Sequence, residues 1–158
     1  MDIKIRQGLE SDFPGIMELV KELAIFQGSP ELVQNSLSLM IEEKNYFHCL
    51  VAENDQKEIV GMAIWSFAYY SWVGKSMYLD DLVVKESYRG QKAGSLLLNA
   101  LFEIARKENC KRVRWLVSEW NKAAIDFYRK CGAHFETNTI ICDFDRQAIG
   151  EFMLSPSK

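Results

Sequence analysis

Two adjacent acids interrupt a strongly apolar stretch of this chain. Asp80 and Asp81 lie within the β-prone run from Tyr78 to Val84. Carboxylates in such a run are costly unless solvated or paired, which predicts a cleft beside them. A carboxylate in a cleft can take a proton from a bound group. The alternative is a strand end at the surface with ordinary solvated acids. The turn Arg89-Gly90-Gln91-Lys92-Ala93-Gly94 follows. Apolar residues then fall at Ala93, Leu96, Leu97, Ala100, Leu101, Ile104 and Ala105, one face of a helix. A helix opens with unpaired N–H groups and partial positive charge, so this corner suits an anion, a phosphate above all. A plain strand–turn–helix connection without ligand is the competing reading. Further on, Tyr128 sets a phenol on an otherwise apolar helical face. A core tyrosine with a backbone partner would look the same.

The elements that must hold these residues follow from periodicity. Ile3 to Arg6 alternates as a first strand. Ser11 or Asp12 can cap the next helix, with Pro14 in its first turn and Ile16, Leu19, Val20 and Leu23 as its buried stripe. Gln27-Gly-Ser-Pro30 ends it, and a more polar helix is expected from Glu31 to Glu43. Phe47 to Glu53 and Glu58 to Tyr70 read as strands, the second dense in aromatics. Lys75 opens the strand that carries Asp80, so the middle of the chain is an antiparallel meander. Arg112 to Val117 reads as a strand after the central helix. Asn121 then caps a helix ending at Gly132, and a last strand is expected from Thr139 to Phe144. The fold class is α/β (α+β), a mixed, mostly antiparallel sheet flanked by helices.

With 158 residues, 48% of them hydrophobic, the chain suits a single domain over 1–158 with a sizeable core. A net charge of −3 predicts no general attraction to nucleic acid or anionic membrane. No apolar run approaches membrane-span length and the first residues are no signal peptide, so a cytoplasmic protein is expected. Cys49, Cys110, Cys131 and Cys142 lack C-x-x-C spacing, three of them in apolar or helical context. They read as buried free thiols. His48 and His134 have no second ligand at metal spacing, so no metal site is expected.

The turn from Arg89 to Gly94 resembles the acetyl-coenzyme A loop of the Gcn5-related N-acetyltransferases (GNAT), whose pattern is Arg/Gln-x-x-Gly-x-Gly/Ala. Arg89 and Gly94 match its ends, and Lys92 replaces its middle glycine. If that position needs a positive φ, Lys92 carries strain that glycine would not. The element order βααβββαβαβ is also that of the GNAT fold. Val20-Lys-Glu-Leu-Ala24, Phe47 to Glu53, Trp72-Val-Gly-Lys75, Tyr78-Leu-Asp-Asp81, Leu116 to Asn121 and Phe127-Tyr128 look like one branch of it, the diamine (spermidine/spermine and thialysine) acetyltransferases.

The resemblance implies acetyl transfer from acetyl-coenzyme A to a primary amine of a small molecule, within a homodimer. Tyr128 is then the acid over the thioester sulfur and Asp80 the base. The backbone of Leu82, Val83 and Val84 pairs with the pantetheine arm. Arg89, Gly90, Gln91, Lys92, Ala93, Gly94 and Ser95 surround the pyrophosphate, and Asn121 meets the arm while also serving as a cap. Asp80, Phe26, Gln27, Tyr70, Trp115 and Glu119 are the candidate acceptor contacts. Phe26 and Gln27 stand where the branch has tyrosine and glutamate, and Tyr70 and Ser71 where it has aspartate and proline. Those losses point away from spermidine, toward a shorter or less charged amine. A protein or peptide acetyltransferase and a non-catalytic coenzyme A-binding domain are the competing readings. Asp80 and Asp81 face opposite sides of a regular strand, so one hollow receives both only if a bulge re-aims one.

Overall fold

The alternating segments build a five-stranded sheet in sequence order, and a computed structural model describes residues 2–152. The strands are β1 (Lys4–Gln7), β2 (His48–Glu53), β3 (Ile59–Tyr70), β4 (Gly74–Val84) and β5 (Val113–Arg114). The first four pair antiparallel, and β5 joins β4 in parallel. The helices are α1 (Phe13–Phe26), α2 (Leu37–Glu42), α3 (Ala93–Lys107), α4 (Lys122–Lys130) and α5 (Arg146–Glu151). The chain falls into two compact units, one within Met1–Leu116 and one within Val117–Lys158.

In the first unit the period-2 pattern of the strands splits the apolar residues between two faces. Val51 and Met62 are paired neighbours on one face, where they pack with Ile16 and Leu19 of α1 and Met40 of α2. Ala52 and Gly61 point the other way, toward α3. A Cβ on Gly61 would stand 2.9 Å from the Val83 carbonyl and 3.3 Å from the Leu97 side chain, so glycine is what lets α3 lie close. Leu97, Leu101 and Ala105 of α3 are buried, as their helical spacing predicts.

The loop after β1 is tied down by charge. The guanidinium of Arg6 donates to both carboxylate oxygens of Asp12, at 2.6 and 2.9 Å, and to Glu53 Oε2 at 2.8 and 2.9 Å. Asp12 also accepts the Leu9 N–H, so it braces the turn before α1 and supplies no side-chain cap to α1 itself. Hydrogen bonds from Arg6 hold the Asp12 carboxyl below its ordinary range. Glu53 is lowered by its bond from Lys57 and then by Arg6.

Four sequence expectations are corrected. The helix expected from Glu31 to Glu43 is a 3-10 turn at Pro30–Leu32, an extended link, and the short α2. Ser36 caps α2 by accepting the Leu39 N–H at 3.2 Å, so the helix starts six residues late. The strand expected from Arg112 to Val117 shrinks to two residues. The one expected from Thr139 to Phe144 is irregular, with Ile140 and Ile141 exposed and no described strand beside them. A β-prone run without a neighbouring edge does not make a strand. Of the four free cysteines, only Cys49 is buried, and burial raises its thiol pKa to about 11. Cys131 and Cys142 are exposed, against expectation.

In the second unit Asn121 caps α4, its side chain accepting the Ala124 N–H at 3.2 Å. Gly132 closes that helix: its own N–H bonds the Arg129 carbonyl, and the Ala133 N–H bonds that of Tyr128, both at 3.0 Å. Asp145 caps α5 in the same way as Asn121 caps α4.

Candidate active site

β4 departs from regular pairing where its acids lie. Ile64 pairs with Asp81 and Trp65 with Leu79, which leaves Asp80 as the extra residue of a β-bulge. The bulge breaks the strict alternation of a strand. Both carboxylates therefore line one hollow of about 350 Å³ on the α1–α2 face. Its walls are apolar: Val20 from α1, Met40 from α2, and Phe47 and Ile64 from the sheet. The end of the 3-10 turn and the link after it close one side with Leu32 and Val33, and the link adds two neutral amides, Gln34 and Asn35. The two aspartates are the ionisable groups among its described lining.

These walls set the electrostatics. Burial raises the pKa of Asp80, although part of the residue is exposed at the mouth. Asp81 lies deeper, and burial followed by the neighbouring Asp80 charge raises it to about 6. Two carboxylates with unequal environments in one hollow can share a proton or hold an ammonium group.

At the end of β4, Leu82, Val83 and Val84 present a main-chain edge. β5 pairs with β4 at Met77 and Tyr78, so from Leu79 to Val84 no described strand covers that side. Such an edge can pair with an extended amide-bearing chain. The turn beyond it carries two left-handed residues, Gly90 at φ 76° and Lys92 at φ 68°. Lys92 is the N-cap of α3 and offers no side-chain cap. The first bond of the helical ladder runs from the Leu96 N–H to the Lys92 carbonyl, at 2.9 Å. The N–H groups of Ala93, Gly94 and Ser95 precede it, as the donors that a helix start leaves outside its own ladder. Arg89 is held over the Phe26 ring, 5.0 Å from its centroid, with its Nε donating to the Val84 carbonyl at 3.3 Å. Gln91 is fixed through the Ser87 carbonyl.

The remaining candidates fall in different places. Phe26 lies with Arg89, and Gln27 is the exposed C-cap of α1, so neither is on the described lining of the hollow. The guanidiniums of Arg112 and Arg114 each lie near the Tyr70 ring, 5.5 and 5.4 Å from its centroid. Trp115 is half-buried just after β5. Glu119, Asn121 and Tyr128 belong to the second unit. There Glu119 is exposed, and Tyr128 is buried with its ring 5.3 Å from that of Phe127. Sequence reasoning missed Asp81 as the more strongly perturbed acid, and the 32–35 link as a wall. The strand pattern could show that two acids were adjacent, but not which one the bulge would bury.

An anion-ready helix start, an open strand edge beside it and an acid-lined hollow across the same strand define a class: α/β proteins suited to an extended, anion-bearing ligand. A family model described as "Acetyltransferase (GNAT) family" matches residues 13–133. The thialysine N-epsilon-acetyltransferase of Bos taurus is 34% identical over 142 residues, 83% of this chain and 84% of its own. The human spermidine/spermine N(1)-acetyltransferase-like protein 1 is 34% identical over 140 residues, 82% of this chain but 20% of that protein. Among solved structures, an integron cassette protein from the mobile metagenome of V. cholerae aligns with a TM-score of 0.78 at 23% identity, covering 96% of this chain and 97% of its own, which bears on the fold. The chain belongs to the GNAT acetyltransferase family. It is an enzyme, and the reading as a non-catalytic binding domain falls away.

Proposed function

We propose that the enzyme moves an acetyl group from acetyl-coenzyme A to the primary amine of a short, small molecule received between Asp80 and Asp81. The observation that carries this reading is the pair of aspartates in one apolar hollow, one of them with a pKa of about 6. An alkylammonium group with a pKa near 10.4 is neutral in only about one molecule in a few thousand at pH 7, so it must lose a proton before it can attack. Asp81 and Asp80 hold the ammonium and take that proton. Tyr128 supplies a proton to the departing sulfur, a role that rests on its match to the family tyrosine.

Acetyl-coenzyme A, when bound, supplies the acetyl group as a thioester. The donors present fit it. Gly90, Gln91, Lys92, Ala93, Gly94 and Ser95, with Arg89 beside them, surround the diphosphate. The edge of Leu82, Val83 and Val84 pairs with the pantetheine amides, and Asn121 meets the same arm. Both compact units serve one domain in this reading, since the family match runs across residue 116.

The acceptor is short. The described walls beyond the acids are apolar or neutral amide, and among them are none of the further carboxylates that a polyamine's distal ammonium would need. Similarity to the thialysine enzymes favours an amino-acid-like or short diamine acceptor. Thiol release from acetyl-coenzyme A, measured over thialysine, lysine, ornithine, 1,3-diaminopropane, spermidine and a lysine-containing peptide, tests it. One of the short amines should give the highest kcat/KM. A wide preference for spermidine or the peptide would overturn the acceptor assignment.

A further inference from the structure

Phe26, expected among the acceptor contacts, is not on the described lining of the hollow of the two aspartates. It is the last residue of α1, and the Arg89 guanidinium lies over its ring, 5.0 Å from the centroid. A second contact fixes the same cation: its Nε donates to the Val84 carbonyl at 3.3 Å. The direction of that carbonyl decides where the cation stands. The carbonyl of Val84 and the N–H of Lys85 belong to one trans peptide, so they point opposite ways. The Lys85 N–H bonds Val60 of β3, at 2.9 Å. The Val84 carbonyl is therefore turned to the other side of β4, where no described strand pairs with Leu79 to Val84. Arg89 covers the last carbonyl of that open edge, and the left-handed Gly90 follows it directly. The main chain before it is pinned too, since the Tyr88 hydroxyl accepts from the amide of buried Asn54 at 2.9 Å.

With Nε spent on Val84, the two Nη groups carry the remaining donors, and no carboxylate among the described residues pairs with them. A guanidinium so placed can take two phosphate oxygens at once. A long side chain loses rotamer freedom when a ligand immobilises it, and one already stacked on a ring and anchored at Nε loses less. The ring thereby raises affinity without touching the ligand. We propose that Phe26 is a positioning residue for the cofactor, whose ring holds the Arg89 guanidinium at the end of the open edge for the diphosphate. The inference rests on the acetyl-coenzyme A reading above and moves Phe26 from the acceptor side of the site to the cofactor side. An exposed cation–π contact of this kind corresponds to about two- to fivefold in an equilibrium constant. A contact that only fastens α1 has the same geometry, because the last turn of α1 carries no basic residue of its own and a helix C-terminus favours a cation. The two roles differ in what they do to cofactor affinity.

The test is a calorimetric titration of the full chain with coenzyme A. Phe26→Leu keeps an apolar side chain at this 45% exposed position but removes the π face, and should raise the Kd about two- to fivefold. Phe26→Tyr, which keeps the ring, should restore the parent Kd. In an Arg89→Ala background, Phe26→Leu should add nothing further. Kinetics give a second readout. With acetyl-coenzyme A, Phe26→Leu should raise KM by the same factor and leave kcat in place. With S-acetylpantetheine, which lacks the diphosphate, kcat/KM should not move, and neither should the KM of the acceptor amine. The proposal is overturned if Phe26→Leu weakens binding equally with and without Arg89, or if the amine KM or the S-acetylpantetheine reaction changes instead. A lower melting temperature with an unchanged Kd also overturns it, and leaves the contact to α1 alone. A parent chain that binds no coenzyme A sinks the cofactor reading itself. A parent that binds it, beside a Phe26→Leu variant that binds it equally well, sinks only the role of Phe26.

Discussion

At the scale of single residues, Asp81 is the decisive group. It can accept a proton only when ionised, and with a pKa of about 6 it is ionised only above that pH. The logarithm of kcat/KM should therefore fall by one unit per pH unit below about 6, a bend that Asp81→Asn removes while lowering kcat/KM by about 10²-fold or more. Stability should move the other way. A carboxyl whose folded-state pKa is raised destabilises the fold once ionised, so stability grows as pH falls through about 6 toward the ordinary carboxylate range. Asp81→Asn should thus raise the unfolding free energy at pH 7.5, read from urea titrations, by on the order of 1 kcal/mol after allowance for its partial exposure. An unbent pH profile in the parent enzyme would remove Asp81 as the base. Lys92 is a second test at this scale. A non-glycine residue at φ 68° carries about 1–2 kcal/mol of strain. Lys92→Gly and Lys92→Ala lose the same charge, but only glycine relieves the backbone. The glycine variant should melt about 2–4 °C above the alanine one, and equal melting temperatures would show the turn to be unstrained.

Among the elements, the ion cluster joining β1, β2 and the turn before α1 governs acid stability. The folded-state pKa values of Asp12 and Glu53 are depressed, so their stabilisation is complete at neutral pH and is lost as pH falls through those lowered values. The urea midpoint of the parent should drop steeply below about pH 4, where ordinary carboxyls begin to protonate. Asp12→Asn should cost about 2–4 kcal/mol at pH 7, because it leaves part of Arg6 unpaired, and should flatten that acid slope. A slope unchanged by the substitution would mean that other carboxylates drive acid unfolding. The bulge in β4 is the second consequential element. It re-aims two neighbouring acids and sets Trp65 opposite Leu79, so one irregularity shapes both faces of the sheet.

For the whole molecule, the apolar surface argues for self-association. Ile140, Ile141, Phe144, Ile149 and Phe152 of the second unit are all more than half exposed, a run that water alone covers poorly. The homodimer implied by the diamine branch would bury such a surface. Light scattering should give twice the 18.2 kDa chain mass, and Ile140→Asp with Ile141→Asp should return it to the monomer value. A monomeric parent protein would dismiss the dimer. No described helix is long and apolar enough to cross a membrane.

Local chemistry was legible without coordinates. The helical stripe of α3, the alternation of β1, the apolar runs of β2 to β4, the Asn121 cap and the stop at Gly132 each depend on neighbours within a few residues, so periodicity and side-chain type suffice to read them. The Arg89–Gly94 turn was legible for the same reason. Pairing with partners far along the chain settled the rest. The register of β3 against β4 made Asp80 the bulged residue and buried Asp81 more deeply. The 32–35 link became a wall of the hollow instead of a helical turn. The last strand expected from Thr139 to Phe144 found no described edge and stayed irregular. A strand, a bulge and a buried carboxylate are each made by what lies across from them, and that is decided only when the sheet assembles.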